Sequence, residues 1–376
     1  IILFKNIAIL DENYEIKESR YVGTEKDKIA YIGTETPETD FGEVYDGKNK
    51  LLMPAFFNAH AHSPMMLMRG YGENLTLQDW LNTRIFPFED KLTSEAVYYA
   101  TLLAMAESLR FGIVSSSDMY YFCDDMVRAV EESGAKANIS RSITSFAEGS
   151  VKNNDSYREA EALIRDYHGA AEGRILIDAR IHAEYTNTVT SMTEVADLAK
   201  KYGVNMHVHV SETKQEHEEC KARHGGRTPA QLLCDLGAFD TRTTAAHCVW
   251  AEEEDIEIFS EKGVTVVTCP VSNLKLASGV CNVPALMKKG VNVAIGTDSV
   301  ASNNSLNFIE EMKFFALLNK ERRNDPTLIT PKETLRAAAR AGALSQGRED
   351  CGVLAVGRKA DLTVLDIGQP HMRPVH

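Results

Sequence analysis

Residues 53–70 read MPAFFNAHAHSPMMLMRG, an apolar run closing on two histidines, His60 and His62, two positions apart. In a β-strand, residues i and i+2 project to the same face. Both imidazoles can therefore aim at one point, as a metal site requires. Among 11 histidines in 376 residues, a lone H-x-H pair is weak evidence. A second pair, His207 and His209 in NMHVHVSET, raises the question of whether the chain brings the two together.

Outward from this stretch the pattern is regular. Apolar, β-branched runs that read as buried parallel strands alternate with amphipathic helical stretches. LLMPAFFNAH is the first strand, followed by FGIVSSSDMY, KANISRSITS, RILIDARIHA, VNMHVHV, TRTTAAHCV, VTVVTCPV and VNVAIGTDS. Helical segments such as DDMVRAVEESG and MTEVADLAKKYG stand between them, several closed by a glycine (Gly134, Gly203, Gly263, Gly290) as a helix C-terminus prefers. Eight strand–helix units in roughly 250–300 residues predict an α/β fold, a (β/α)8 TIM-like barrel, over residues 49–346. An open doubly wound sheet is the alternative, but no G-x-G-x-x-G turn follows any strand to support a nucleotide-binding version.

The flanks differ. Residues 1–48 carry short strands (LFKNIAIL, IKESRYVGTE, KIAYIGTE), and CGVLAVGRKADLTVLDI near the end looks like more of the same. Neither flank suffices for a stable sheet by itself, so 1–48 plus 347–376 are expected to form one small β-sandwich. The chain stops at PHMRPVH just after a strand, which leaves a trimmed C-terminus open.

Bulk composition narrows the function classes. Hydrophobic content of 44% and charged content of 25% are those of an ordinary globular protein. No run approaches the roughly 20 apolar residues of a membrane span. The net charge of −13 argues against nucleic acid as a partner. Seven cysteines without a C-x-x-C suggest neither a disulfide framework nor a cysteine zinc site, and a reducing, cytoplasmic setting fits best.

A barrel carries its active site at the C-terminal strand ends. Strand one ends in His60 and His62, strand four in His182, strand five in His209 with Glu212 three residues on, strand six in His247 and strand eight in Asp298. Three imidazoles and one carboxylate (His60, His62, His209 and Asp298) suit Zn²⁺. Fe²⁺ or Mn²⁺ could use the same set. His207 is expected to be an inner-barrel residue, since His209 lies nearer the strand's end. RILIDARIHA holds no lysine that could be carboxylated to bridge a second ion, so one divalent metal is expected.

HAHSPMMLMRGYGENLTLQDWL, HVHVSET, AAHCV, NLKLASG and GTDSVASNNSLNFIEEM together resemble the amidohydrolase superfamily. The resemblance is to its branch of S-adenosylhomocysteine and methylthioadenosine deaminases, with chlorotriazine hydrolases and guanine deaminases nearby. It covers nearly the whole chain and implies hydrolytic deamination of adenosine-type nucleosides. The metal would bring the pKa of its water to about 7. Asp298 would accept that water's proton, His247 would orient and stabilise the oxygen from beside the metal, and Glu212 would protonate a ring nitrogen before ammonia leaves. The resemblance also implies that Glu89 binds the ribose hydroxyls, that Trp80 walls the pocket, and that Arg141 and His182 contact base or sugar.

One departure concerns the 5′ group. Family members acting on S-adenosylhomocysteine carry an arginine after strand three that meets the carboxylate. Here that stretch reads SFAEGSVKNNDSYREAE, with only Lys152 and Arg158 to offer. Methylthioadenosine, 5′-deoxyadenosine or adenosine would fit as well. Two alternatives stand beside this reading: a deaminase or chlorohydrolase of another heterocycle (guanine, 8-oxoguanine, a triazine), and a metal-free binding or assembly protein. The partner is thus a small nucleoside or aminated heterocycle, with a homo-oligomer compatible.

Overall fold

The structure, a computed structural model, describes residues 1–374; positions 375–376 of the expected C-terminal segment lie outside the described residues. The two chain ends meet in one sheet. β1 (Ile2–Leu10) pairs antiparallel with β2 (Ile16–Glu25), which pairs with β3 (Lys28–Gly33). The other side of β1 takes β4 (Glu43–Asp46) and β5 (Lys50–Pro54) in parallel. The returning strand Leu362–Asp366 runs antiparallel to β5, from Leu362 opposite Pro54 to Asp366 opposite Lys50. Hydrogen-bonded pairing thus describes one six-stranded sheet, where two layers were expected. Ile7, Ile9, Val22, Ile29, Leu52 and Leu354 form its buried cluster.

Two parallel sheets follow. The first is β6 (Phe56–Ala61), β7 (Ile113–Tyr120), β8 (Lys136–Arg141) and β9 (Ile175–Ile177). The second is β10 (Ala179–Ala183), β11 (Met206–Val210), β12 (Thr243–His247), β13 (Thr265–Thr268) and β14 (Asn292–Ile295). Single parallel bridges join their edges, Ile143 to Ile181 on one side and Ala61 to Asp298 on the other. At the second seam the Asp298 amide donates to the His60 carbonyl at 3.0 Å. β9 and β10 are the halves of RILIDARIHA, divided at Asp178, whose buried carboxylate accepts from Asn138 Nδ2 at 2.9 Å.

LLMPAFFNAH is therefore not one strand. Its first half belongs to the terminal sheet, and only Phe56–Ala61 starts the parallel series. Between them, Ala55 donates its amide to Asp361 near the returning strand at 2.9 Å. Both halves are buried on both faces, so periodicity carries no mark of the change of partner.

Helices between the strands end as the glycines indicate. Gly134, Gly203 and Gly263 follow Cys123–Ser133, Val189–Tyr202 and Glu253–Lys262 with left-handed φ of 76°, 63° and 66°, a conformation that costs a residue with a Cβ about 1 kcal/mol or more. Each cap returns the chain to the bottom of the next strand. The largest apolar cluster packs these helices on the parallel strands. Among the described residues, no helix is long and apolar enough to cross a membrane, and the seven cysteines are unpaired.

Candidate active site

The ends of β6, β11, β12 and β14 converge. His60 and His62 point their Nε2 atoms at Asp298 Oδ1, at 3.5 and 3.2 Å. One ligand atom each from His60, His62 and His209 lies within 4.8 Å of the others, and the same is true of His60, His247 and Asp298. Backbone geometry helps aim them: His247 and Asp298 sit at left-handed φ of 75° and 58°, a conformation uncommon outside glycine and concentrated at functional sites.

Hydrogen bonds at the far ring nitrogens set the tautomers. His62 Nδ1 donates to the Met119 carbonyl at 3.0 Å, and His209 Nδ1 donates to the His182 carbonyl at 2.6 Å. Each ring thereby keeps an Nε2 lone pair for the centre, as metal-ligating histidines do. His60 Nδ1 meets His207 Nε2 at 3.0 Å. Burial holds His60, His207 and His209 well below the usual imidazole pKa, with Arg180 adding to the effect. They are neutral rings at neutral pH.

Asp298 is the anionic member. Its Oδ2 accepts from Ser272 Oγ at 2.6 Å and Ser302 Oγ at 3.1 Å. Burial opposes its charge, but the facing His60 and His62 rings hold the carboxyl well below the usual range. Glu212 is the opposite case: burial, then the Asp298 and Glu216 carboxylates, push it well above that range. Its Oε2 lies 3.7 Å from His247 Nε2. Asn273 Nδ2 donates to His247 Nδ1 at 3.0 Å, which leaves Nε2 as the N–H facing Glu212. Burial lowers the His247 pKa to about 4.

These groups fit a divalent cation. His60 Nε2 is buried and makes no hydrogen bond, a costly state for a polar atom unless something else occupies its lone pair. Three imidazoles and a carboxylate around one point are the donors such an ion takes. A second cluster, Glu184, Cys220 and His224, differs: Arg223 and His224 already hold the Glu184 carboxylate.

The centre opens into a cavity of about 640 Å³, lined by His62, Glu212, His247 and Asp298 on one side and Trp80, Glu89, Tyr120 and Tyr121 on the other. Burial raises the Glu89 carboxyl. Trp80 is buried in the wall. His182 lines the cavity too, with Nδ1 2.9 Å from Thr186 Oγ1 and a pKa lowered by burial to about 3. Arg141 lies outside this cavity, lining an adjoining outer space; its Nε donates to Glu159 Oε2 at 2.6 Å.

Sequence reasoning missed several members. Ser272 and Asn273, which hold Asp298 and His247, come from the helix Pro270–Lys275 in CPVSNLKL. Arg180 is fully buried, with Nη2 3.5 Å from His209 Nε2. Period-two alternation could have found it, since Arg180 and His182 lie two positions apart on β10.

Parallel strand–helix units that gather imidazoles and carboxylates at one end are the scaffold of a metal-dependent hydrolase. The chain belongs to the amidohydrolase family, whose model matches residues 51–375. A 5-methylthioadenosine/S-adenosylhomocysteine deaminase from Caldanaerobacter subterraneus subsp. tengcongensis is 42% identical, over 99% of this chain and 86% of the relative. A 5′-deoxyadenosine deaminase from Methanosarcina mazei is 39% identical, over 99% and 86%. Among solved structures, an adenosine deaminase from Xanthomonas campestris with bound zinc superposes with a TM-score of 0.92 at 33% identity, covering 100% of this chain and 87% of that one.

Proposed function

We propose that this protein hydrolyses the 6-amino group of adenosine-type nucleosides, yielding the inosine analogue and ammonia. The carrying observation is one cavity that joins the His60, His62, His209 and Asp298 cluster to a carboxyl, Glu212, whose pKa its surroundings push well above the usual range. Deaminase relatives at about 40% identity over nearly the whole chain support the reading. The parallel strands are read as a closed (β/α)8 barrel, with the two edge bridges in support.

His60, His62, His209 and Asp298 would hold one divalent ion, with Zn²⁺ the best match to three imidazoles and a carboxylate. Bound there, such an ion supplies Lewis acidity that brings a water's pKa to about 7. Asp298, whose Oδ2 is fixed by Ser272 and Ser302, accepts the proton that the attacking water gives up. Glu212 delivers its proton to the ring nitrogen beside the C–NH₂ carbon and makes that carbon electrophilic. The His247 Nε2–H stabilises the oxygen as it adds. Asp298 passes that proton to the amino group, the C–N bond breaks to release ammonia, and the proton of the added hydroxyl returns to Glu212, so nucleoside and water give the inosine analogue and ammonia.

Glu89 accepts hydrogen bonds from the vicinal ribose hydroxyls, Trp80 and Tyr120 wall the site, and His182 borders the sugar. The test is a panel of adenosine, methylthioadenosine, 5′-deoxyadenosine, S-adenosylhomocysteine, guanine and 8-oxoguanine, scored for ammonia and for loss of absorbance near the adenine maximum. Ammonia from the adenine nucleosides supports the reading. Ammonia from the free bases alone would replace it with the heterocycle alternative. A protein that stays inert and gains no thermal stability with added Zn²⁺ would favour the non-enzymatic one.

A further inference from the structure

We propose that the outer part of the site selects nucleosides by the charge of the 5′ substituent, accepting neutral or cationic groups and disfavouring carboxylates and phosphates. The inference rests on the deaminase reading above. Phe86, Glu89, Tyr121 and His182 line both the inner cavity and a second, larger space of about 1710 Å³ that is open to solvent. The hydroxyls of Tyr120 and Ser142, buried and without a partner, face the inner cavity and mark it as the place where a polar ligand is held. With the base at Glu212 and the ribose at Glu89, the 5′ carbon is directed into the second space.

The walls of that space are acidic. Asp90 and Asp124 line it, and neither has an ion-pair partner among the described residues. Glu89, Asp125, Glu159 and Asp166 line it as well. Asp125 and Asp166 count for less, since Arg128 and Arg165 stand beside them. Arg141 is the one Lys or Arg in the lining, and its guanidinium is already engaged. Nε donates to Glu159 at 2.6 Å, Nη1 donates to the Ser142 carbonyl at 2.7 Å, and the group stacks 4.9 Å from the Tyr121 ring. Lys152 and Arg158, the basic residues that the sequence offers nearby, line neither space.

An entering carboxylate therefore competes with Glu159 for Arg141 while passing unpaired carboxylates. An ammonium meets those carboxylates as acceptors, and Arg141 is drawn towards Glu159. Like-charge juxtaposition of this kind discriminates between ligands, and salt weakens it at a partly exposed rim.

Three probes isolate the charge: methylthioadenosine, S-adenosylhomocysteine, and its decarboxylated counterpart 5′-deoxy-5′-(3-aminopropylthio)adenosine, which keeps the ammonium and lacks the carboxylate. We expect kcat/KM for the aminopropyl and methylthio compounds to exceed that for S-adenosylhomocysteine by about ten-fold at low salt, the gap narrowing as salt is added. Glu159→Gln, which frees Arg141, should raise the S-adenosylhomocysteine to methylthioadenosine ratio by about three- to five-fold. Equal efficiency on all three overturns the inference and leaves the deaminase reading intact. A gap that responds to neither salt nor Glu159→Gln overturns it too, because size would then be the selector. A response to only one of the two does the same. No ammonia from any of the three overturns both readings.

Discussion

His207 Nε2 stands 3.0 Å from His60 Nδ1, so the two H-x-H pairs of this chain touch. Both members of the first pair and His209 of the second face the centre, and His207 stands behind them, buried and neutral. With Nδ1 engaged, His60 can turn only Nε2 to the cluster, 3.5 Å from Asp298. His207 is thus a positioning residue. His207→Ala should weaken metal binding by about 10–100-fold without unfolding the protein. Chelator competition beside circular dichroism measures it, and unchanged affinity would remove the role.

Glu212 and Asp298 divide the proton chemistry because their surroundings push them in opposite directions. Glu212→Gln keeps the shape and removes the acid. We expect kcat to fall by about 10²–10⁴-fold with metal content unchanged. Elemental analysis alongside the rate separates this from loss of the ion, and a variant with near-normal kcat would take Glu212 out of the mechanism.

Glu89 discriminates nucleosides from free bases. A hydrogen bond to a charged group is worth about 1.5–3 kcal/mol, so Glu89→Gln should lower kcat/KM for nucleosides by about 10–100-fold. Any activity on a free base should change far less. Parallel losses on both would place Glu89 elsewhere in the reaction.

Glu311 gives a pH signature in stability. It accepts from the Val271 amide at 3.2 Å and from Asn303, and burial pushes its carboxyl up to about 8. Unfolded, it titrates near about 4.3. Between those values the folded protein holds the extra proton, so this group's contribution to stability is present at the acid end and lost as pH rises towards 8. Glu311→Gln carries no such loss. Its melting temperature relative to wild type should rise between about pH 5 and about pH 9, and a constant difference would show that the carboxyl titrates normally.

Much of the site is local in the sequence. His60 with His62, and His209 with Glu212, are set by period-two geometry and a short loop, which a strand-end reading captures. The strand–helix alternation is similarly legible, since each unit carries its own apolar period and several carry a capping glycine. Legibility fails where two environments look alike to one residue. Leu51 to Phe57 is buried throughout, so nothing in its pattern shows that Pro54 ends one sheet and Phe56 begins another. Arg141 ends its strand earlier than the apolar run suggests, and whether it faces substrate or Glu159 depends on a helix 18 residues further on.

The sequence by itself determined the order of elements and the donor types at their ends, because hydrophobic periodicity and side-chain chemistry are properties of short segments. Only the tertiary structure decided that those ends meet. The Ala61–Asp298 bridge brings together residues far apart in the chain, and Ser272 and Ser302 hold Oδ2 of Asp298 while Oδ1 faces His60 and His62. It also decided which polar groups are left unpaired. His60 Nε2 and the hydroxyls of Tyr120 and Ser142 are ordinary in sequence and distinctive only once burial has removed their water.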